Sequence, residues 1–156
     1  MIDKRDKYFE KIHLSGKYVQ RFNQFIEVIS KFYPDDILDI FISQKTNGLD
    51  FNYLVLISGN HLIYVINIFE KPEFHIVPLL KAITYLKISP EMFDFEYASD
   101  ISILKVSISI AGGELYLEPL VARGTNCEKL LEITKKYLLP NVVDMVDVEN
   151  KQSGSD

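Results

Sequence analysis

Tryptophan is missing from this 156-residue chain, and cysteine occurs once, at Cys127. A single thiol excludes an internal disulfide and gives no positive sign of an oxidising compartment. Positive charge is also short: 17 Lys and Arg stand against 22 Asp and Glu, for a net charge of −5 and a pI near 5.2. A general binder of nucleic acid or of anionic membranes needs a basic face, so both partner classes are disfavoured. No apolar run approaches the roughly 18 residues of a membrane span, because Asn67, Glu70 and Lys71 interrupt the longest one. Residues 1–11 are charged throughout and lack the apolar centre of a signal peptide, so a cytoplasmic protein is the expectation.

What is present is apolar and aromatic. Hydrophobic residues make up 47% of the chain, with nine Tyr and ten Phe, enough for one domain with a substantial core. Residues 1–14 read as a polar, partly helical lead-in, 15–140 as a single domain, and 141–156 as an acidic, disordered tail. That tail sets Asp144, Asp147, Glu149 and Asp156 against Lys151, a net −3. It is expected to be dispensable for folding, although Val142, Val143, Met145, Val146 and Val148 give it some apolar surface.

The spacing predicts a helix over 16–33. Tyr18, Val19, Phe22, Phe25, Ile26, Ile29, Phe32 and Tyr33 recur at intervals of three and four, Ser15 is the candidate N-cap, and Pro34 stops the run. Strand-like segments follow at about 37–44, 52–58 and 61–69, with Gly59-Asn60 as a two-residue hairpin connection. Around 74–77 a short strand precedes Pro78. Over 79–88 a strand competes with a helix from 79 to 86, and the β-branched and aromatic Ile83-Thr84-Tyr85 favours the strand. Pro90 is read as its end. Strands are then expected over 92–97, 101–110 and 114–121, the last an edge or a departure from the sheet because Pro119 cannot donate to a ladder. Thr125-Asn126-Cys127-Glu128 has the form of a capping box, opening a helix over 125–139 that Pro140 ends. Leu130, Leu131, Tyr137 and Leu138 are its expected core residues, with Leu131→Ala expected to cost about 2–5 kcal/mol.

Laid out in this order, residues 37–139 resemble a pleckstrin-homology-like (PH-like) domain of the compact kind seen in GRAM and bacterial PH modules. Three stretches carry the resemblance. Leu54-Val55-Leu56-Ile57-Ser58-Gly59-Asn60-His61-Leu62-Ile63-Tyr64-Val65 looks like that family's hairpin between second and third strands. Ile76-Val77-Pro78-Leu79 followed by Ile83 looks like the approach to its fourth strand. Residues 125–139 look like its closing helix. The resemblance implies an α+β fold: a strongly bent antiparallel sheet or partly open barrel of about seven strands, closed by the C-terminal helix. The amphipathic helix 16–33 would be an addition to it.

No catalytic or metal-binding constellation survives inspection. His13, His61 and His75 lie on different elements without the short spacing of metal ligands. Cys127 falls in a first helical turn, which favours a reactive thiolate, but it shares the apolar face with Leu130 and Leu131. Asp94 with Glu96, and Glu114 with Glu118, read as the solvated sides of strands rather than paired acids. Ser15-Gly16-Lys17 lacks the upstream glycine of a phosphate loop, and Ser58-Gly59 lacks that of a nucleophile elbow.

The expectation is therefore a protein that is not an enzyme, takes no cofactor and binds another protein, with self-association allowed. The candidate contact residues are Phe22 and Phe25 on the aromatic helix stripe, which core packing explains more simply, and Glu114, Tyr116 and Glu118 on the strand holding Pro119. A strand at 61–69 would serve as the edge if a barrel opened there. An acidic secretion-type chaperone that binds an extended protein segment is the second reading. Weak peripheral lipid binding through Lys45, Asn47 and Lys71 is the third, and charge disfavours it, since the loop 44–52 sets one Lys against Asp50. Vesicle sedimentation near physiological salt is expected to show no phosphoinositide binding. Micromolar binding that weakens on Lys45→Glu would overturn that reading of the loop.

Overall fold

The computed structural model describes residues 2–45, 50–92, 101–111 and 118–143. Two helices lead: α1 (Ile2–Lys11) and α2 (Gly16–Phe32). Ser15 is the N-cap of α2, its carbonyl receiving the Val19 N–H at 3.0 Å, and Tyr33 closes the helix just before Pro34. Four strands follow as a consecutive antiparallel meander: β1 (Asp39–Gln44), β2 (Phe51–Ile57), β3 (His61–Ile66) and β4 (Glu73–Pro78). A second antiparallel sheet holds β5 (Ile83–Met92), β6 (Ile101–Ile110) and β7 (Leu120–Arg123) in that order. The chain then forms α3 (Asn126–Ile133), a π-helical turn (Thr134–Leu138) and a 3-10 turn (Leu139–Asn141). The fold is α+β, with antiparallel sheets of four and three strands and a C-terminal helix. Among the described residues no backbone ladder closes the two sheets into a barrel.

Two apolar cores lie on opposite faces of the first sheet. On one face Phe41, Tyr53, Val55, Ile57 and Tyr64 meet Leu104 and Val106 of the second sheet and Leu130, Ile133 and Leu138 of the C-terminal helical segment. On the other, Ile40, Ile42, Leu54, Leu56, Ile63 and Val65 are covered by Tyr8, Phe9 and Ile12 of the α1 segment and by Phe22, Phe25 and Ile29 of α2. Burial on both faces explains why β1 and β2 read as continuous apolar runs rather than alternations. Residues 1–14, a polar lead-in by sequence, therefore supply a helix to the core.

β1 and β7 lie side by side, each the outermost strand of its sheet, and side chains replace the missing ladder between them. Ser43 Oγ accepts the Val121 N–H at 3.0 Å and Gln44 Oε1 accepts the Arg123 N–H at 2.7 Å. Asn126 reaches across from α3, donating to the Ile42 carbonyl and to Gln44 Oε1. Tyr8 completes the set: its hydroxyl donates to Asn126 Oδ1 at 2.7 Å and accepts the Ile42 N–H at 2.9 Å. Burial drives the Tyr8 hydroxyl well above its usual pKa, so it stays protonated as a donor. Beside the seam, Lys129 Nζ meets Asp39 Oδ1 at 2.7 Å, both largely buried. The Tyr137 hydroxyl donates to the other carboxylate oxygen, and burial with Asp39 nearby pushes its pKa up to about 12.

Several expectations require correction. Pro90 does not end its element but sits inside β5, opposite Leu104, as an edge strand permits. Of the strand expected over 92–97, only Met92, the last residue of β5, is described. Pro119 precedes β7, which runs to Arg123, while residues 114–117 lie outside the described residues. The strand over 61–69 stops at Ile66 and pairs on both sides, so it is no edge. Thr125 and Glu128 form no capping box. Both turn toward α1 instead, Thr125 Oγ1 donating to the Lys11 carbonyl and Glu128 accepting from Lys11 Nζ. Asn141, Val142 and Val143, the first residues of the expected tail, all make defined contacts.

Leu131 is 42% exposed whereas Leu130 is fully buried. The inward face runs through Cys127, Leu130 and Ile133, and the π-helical turn, which takes an extra residue per turn, brings Leu138 onto it. Leu130→Ala is thus expected to destabilise by about 2–5 kcal/mol in urea unfolding, and Leu131→Ala by less than about 1 kcal/mol. The two buried tyrosines offer a second contrast. Tyr64 Oη has no hydrogen-bond partner among the described residues, so Tyr64→Phe should be neutral or stabilising. Tyr8→Phe strands Asn126 Oδ1 and the Ile42 N–H and should lose roughly 1–3 kcal/mol for each.

Candidate functional site

The chemistry-bearing side chains are used for structure. Tyr33 Oη lies 2.5 Å from Ser58 Oγ and 2.7 Å from His61 Nδ1, tying the end of α2 to the β2–β3 turn. Ser58 is buried, and its oxygen already accepts the Asn60 and His61 N–H groups. His75 pairs with Glu73 on β4. Cys127 is buried, its thiol donating to the Ala122 carbonyl at 3.4 Å, and desolvation raises its pKa, opposite to the shift a nucleophile needs. Among the described residues no three His, Cys, Asp or Glu side chains converge as metal ligands, and no helix is long and apolar enough to cross a membrane.

The candidate contact residues are scattered. Phe22 and Phe25 are buried between α2 and the first sheet. Glu118 is exposed just before β7, its carbonyl accepting from the Tyr53 hydroxyl, while Glu114 and Tyr116 lie outside the described residues. The strand edge they were to offer is engaged where it is described, since the Val121 and Arg123 N–H groups belong to the seam. Lys45 and Lys71 lie at the same end of the first sheet, after β1 and before β4 respectively, and Asn47 lies outside the described residues. Three strand spacings, roughly 14 Å, separate those two lysines, too far to grip one phosphate together.

Apart from β1 and β7, which face each other across the seam, two strands present edges without a ladder partner over most of their length among the described residues: β4 and β5. β4 has six residues, is bracketed by Pro72 and Pro78, and carries the Glu73–His75 pair, all features that discourage strand addition. β5 is ten residues long. Its register against β6 slips between Ile83 and Tyr85, leaving Thr84 as an extra residue. Tyr85, 57% exposed, stands on its outer face with Lys87, and Ile88 is exposed as well.

Beside this edge lies a cleft of about 610 Å³, lined by Thr84, Tyr85 and Leu86 of β5, by Lys81, and by Leu139, Pro140, Val142 and Val143 from the end of the C-terminal helical segment. A second cleft of similar size, between α1 and the 34–38 segment, sets Lys4 and Arg5 near Asp35 and Asp36. Only the first combines a free backbone edge with exposed apolar side chains. That arrangement can take an extended peptide: main-chain hydrogen bonds along β5, with alternate side chains in the cleft and over Tyr85. Sequence reasoning favoured a strand over 79–88, as β5 bears out, but not its free edge, of which the alternating Tyr85, Lys87 and Ser89 was the one signal. The chain matches no family model, no curated protein and no solved structure.

Proposed function

We propose that this chain is a non-enzymatic protein-binding module of PH-like architecture that takes an extended segment of a partner protein as an added strand on β5. The observation that carries the reading is the β5 edge, unpaired from Tyr85 onward among the described residues and flanked by an apolar cleft. The PH-like part is supported by the strand order. A meander of four strands stands beside one of three, β1 neighbours β7, and the C-terminal helix touches β1, β6 and β7. On this reading α1 and α2 are an added layer on the outer face of the first sheet, which leaves the β5 end of the molecule as the accessible one.

A library of displayed extended peptides, panned against the full chain and against a chain ended after Val143, tests this. Binders with alternating apolar residues are expected, and Tyr85→Asp with Ile88→Asp should weaken them about tenfold or more without lowering the melting temperature. No enriched binder on either form, or binders indifferent to both substitutions, would remove the reading.

A further inference from the structure

The backbone of β5 faces β6 and the free side by turns, and its hydrogen bonds fix which residues do which. The Ala82 carbonyl accepts the Ala111 N–H at 2.8 Å, on the β6 side, whereas the Ile83 carbonyl accepts the Val143 N–H at 2.8 Å, on the free side. Thr84 is the extra residue of the bulge and moves the alternation on by one. Tyr85, Lys87, Ser89 and Glu91 therefore turn their backbone groups to β6, and Leu86, Ile88, Pro90 and Met92 turn theirs to the free edge. Pro90 fits this phase, because the N–H it lacks would have pointed away from the sheet. Side chains alternate too, leaving Tyr85, Lys87 and Glu91 exposed on the outer face.

From this phase and these charges we infer that the strand added to β5 is the β5 of a second copy of this chain, paired antiparallel about a two-fold axis at Ser89. The inference rests on the reading of β5 as a strand-addition edge and names its partner. Charge selects the register. Centred on Ser89, the pairing sets Lys87 of each copy directly opposite Glu91 of the other, in the closer, non-hydrogen-bonded kind of pair. Centring on Lys87 would oppose two like charges, and centring on Pro90 would oppose two residues without an N–H. Centring on Ile88 would set Lys87 against Ser89 and Glu91 against Tyr85, with no opposite charges facing each other. In the Ser89 register the Leu86 N–H meets the Met92 carbonyl of the other copy, the Ile88 N–H meets the Pro90 carbonyl, and the Met92 N–H meets the Leu86 carbonyl. Every N–H on the free edge from Leu86 to Met92 then has an acceptor. The pairing stops short of Ile83, whose carbonyl Val143 already holds. Such a contact uses the same patch on both copies, so it joins their second sheets into one and closes at a dimer.

Sedimentation equilibrium of the full chain reads the assembly directly. A monomer–dimer equilibrium is expected at micromolar concentrations, with the Leu86 and Ile88 amides exchanging more slowly as protein concentration rises. Lys87→Glu and Glu91→Lys each turn both opposed pairs repulsive. Each should raise the dimer dissociation constant about tenfold or more, without lowering the melting temperature, since both side chains are exposed. The variant carrying both substitutions should dimerise like the original chain, and the two single variants, mixed, should pair with each other. That rescue also shows that each single variant is folded. A chain that stays monomeric up to millimolar concentration overturns the inference, and so does a dimer indifferent to both reversals. The displayed peptides separate this failure from that of the edge itself. A monomeric chain whose binders are weakened by Tyr85→Asp and Ile88→Asp keeps the edge and loses the second copy. If the chain is monomeric and no displayed peptide binds, both readings fall.

Discussion

The two sheets depend on a short row of side-chain hydrogen bonds between β1 and β7. Backbone pairing would have closed the gap at one strand spacing; instead Ser43, Gln44, Asn126 and Tyr8 satisfy the N–H and C=O groups that the two strands expose to each other. Each of these side chains is buried, and a buried backbone polar group left unpaired costs as much as a lost hydrogen bond. The seam therefore determines more than its own length. It sets the angle at which the second sheet meets the first, and so the shape of the core that α3 fills. It also explains why a polar residue, Asn126, stands at the start of an amphipathic helix, and why α1 is wired into the body by Tyr8.

Closure at the seam is also what leaves β5 as the longest free edge. With β1 and β7 committed to each other and β2, β3 and β6 interior, the free strand edges among the described residues are those of β4 and β5. β4 has a proline before it and another as its last residue, and carries the Glu73–His75 contact. β5 carries exposed apolar side chains and, at Ile83, the contacts of Val142 and Val143.

Much of this order was legible in the sequence because local chemistry decides it. The 16–33 periodicity with Pro34, the Gly59-Asn60 connection and the alternation over 101–110 each match an element nearly end to end. Less was legible where burial from two sides erased the alternation, as in β1, or where charge on the exposed half of a helix masked three buried residues, as in the segment holding Tyr8, Phe9 and Ile12. Leu131 was misplaced because a π-helical turn, which no residue type announces, rephases the last helix. Asn126 was read as a place in a capping box when its partners lie 82 to 118 residues away. The candidate site was hidden for the same reason. An edge is a property of which strands fail to pair, and pairing is a long-range fact.

Sequence distance along the seam has a consequence for how the molecule is made. Strands β1 to β4 form a meander of neighbours and β5 with β6 a hairpin, contacts that close short loops and form early. Tyr8 and Asn126 are 118 residues apart. During synthesis α1 and α2 can settle on the first sheet as soon as β4 has emerged, yet the Tyr8 hydroxyl and the β1 edge stay unsatisfied until the final helix leaves the ribosome. The nascent chain thus carries an open, strongly apolar strand edge for most of its elongation, and that interval is when it is most exposed to mispairing with another copy of itself.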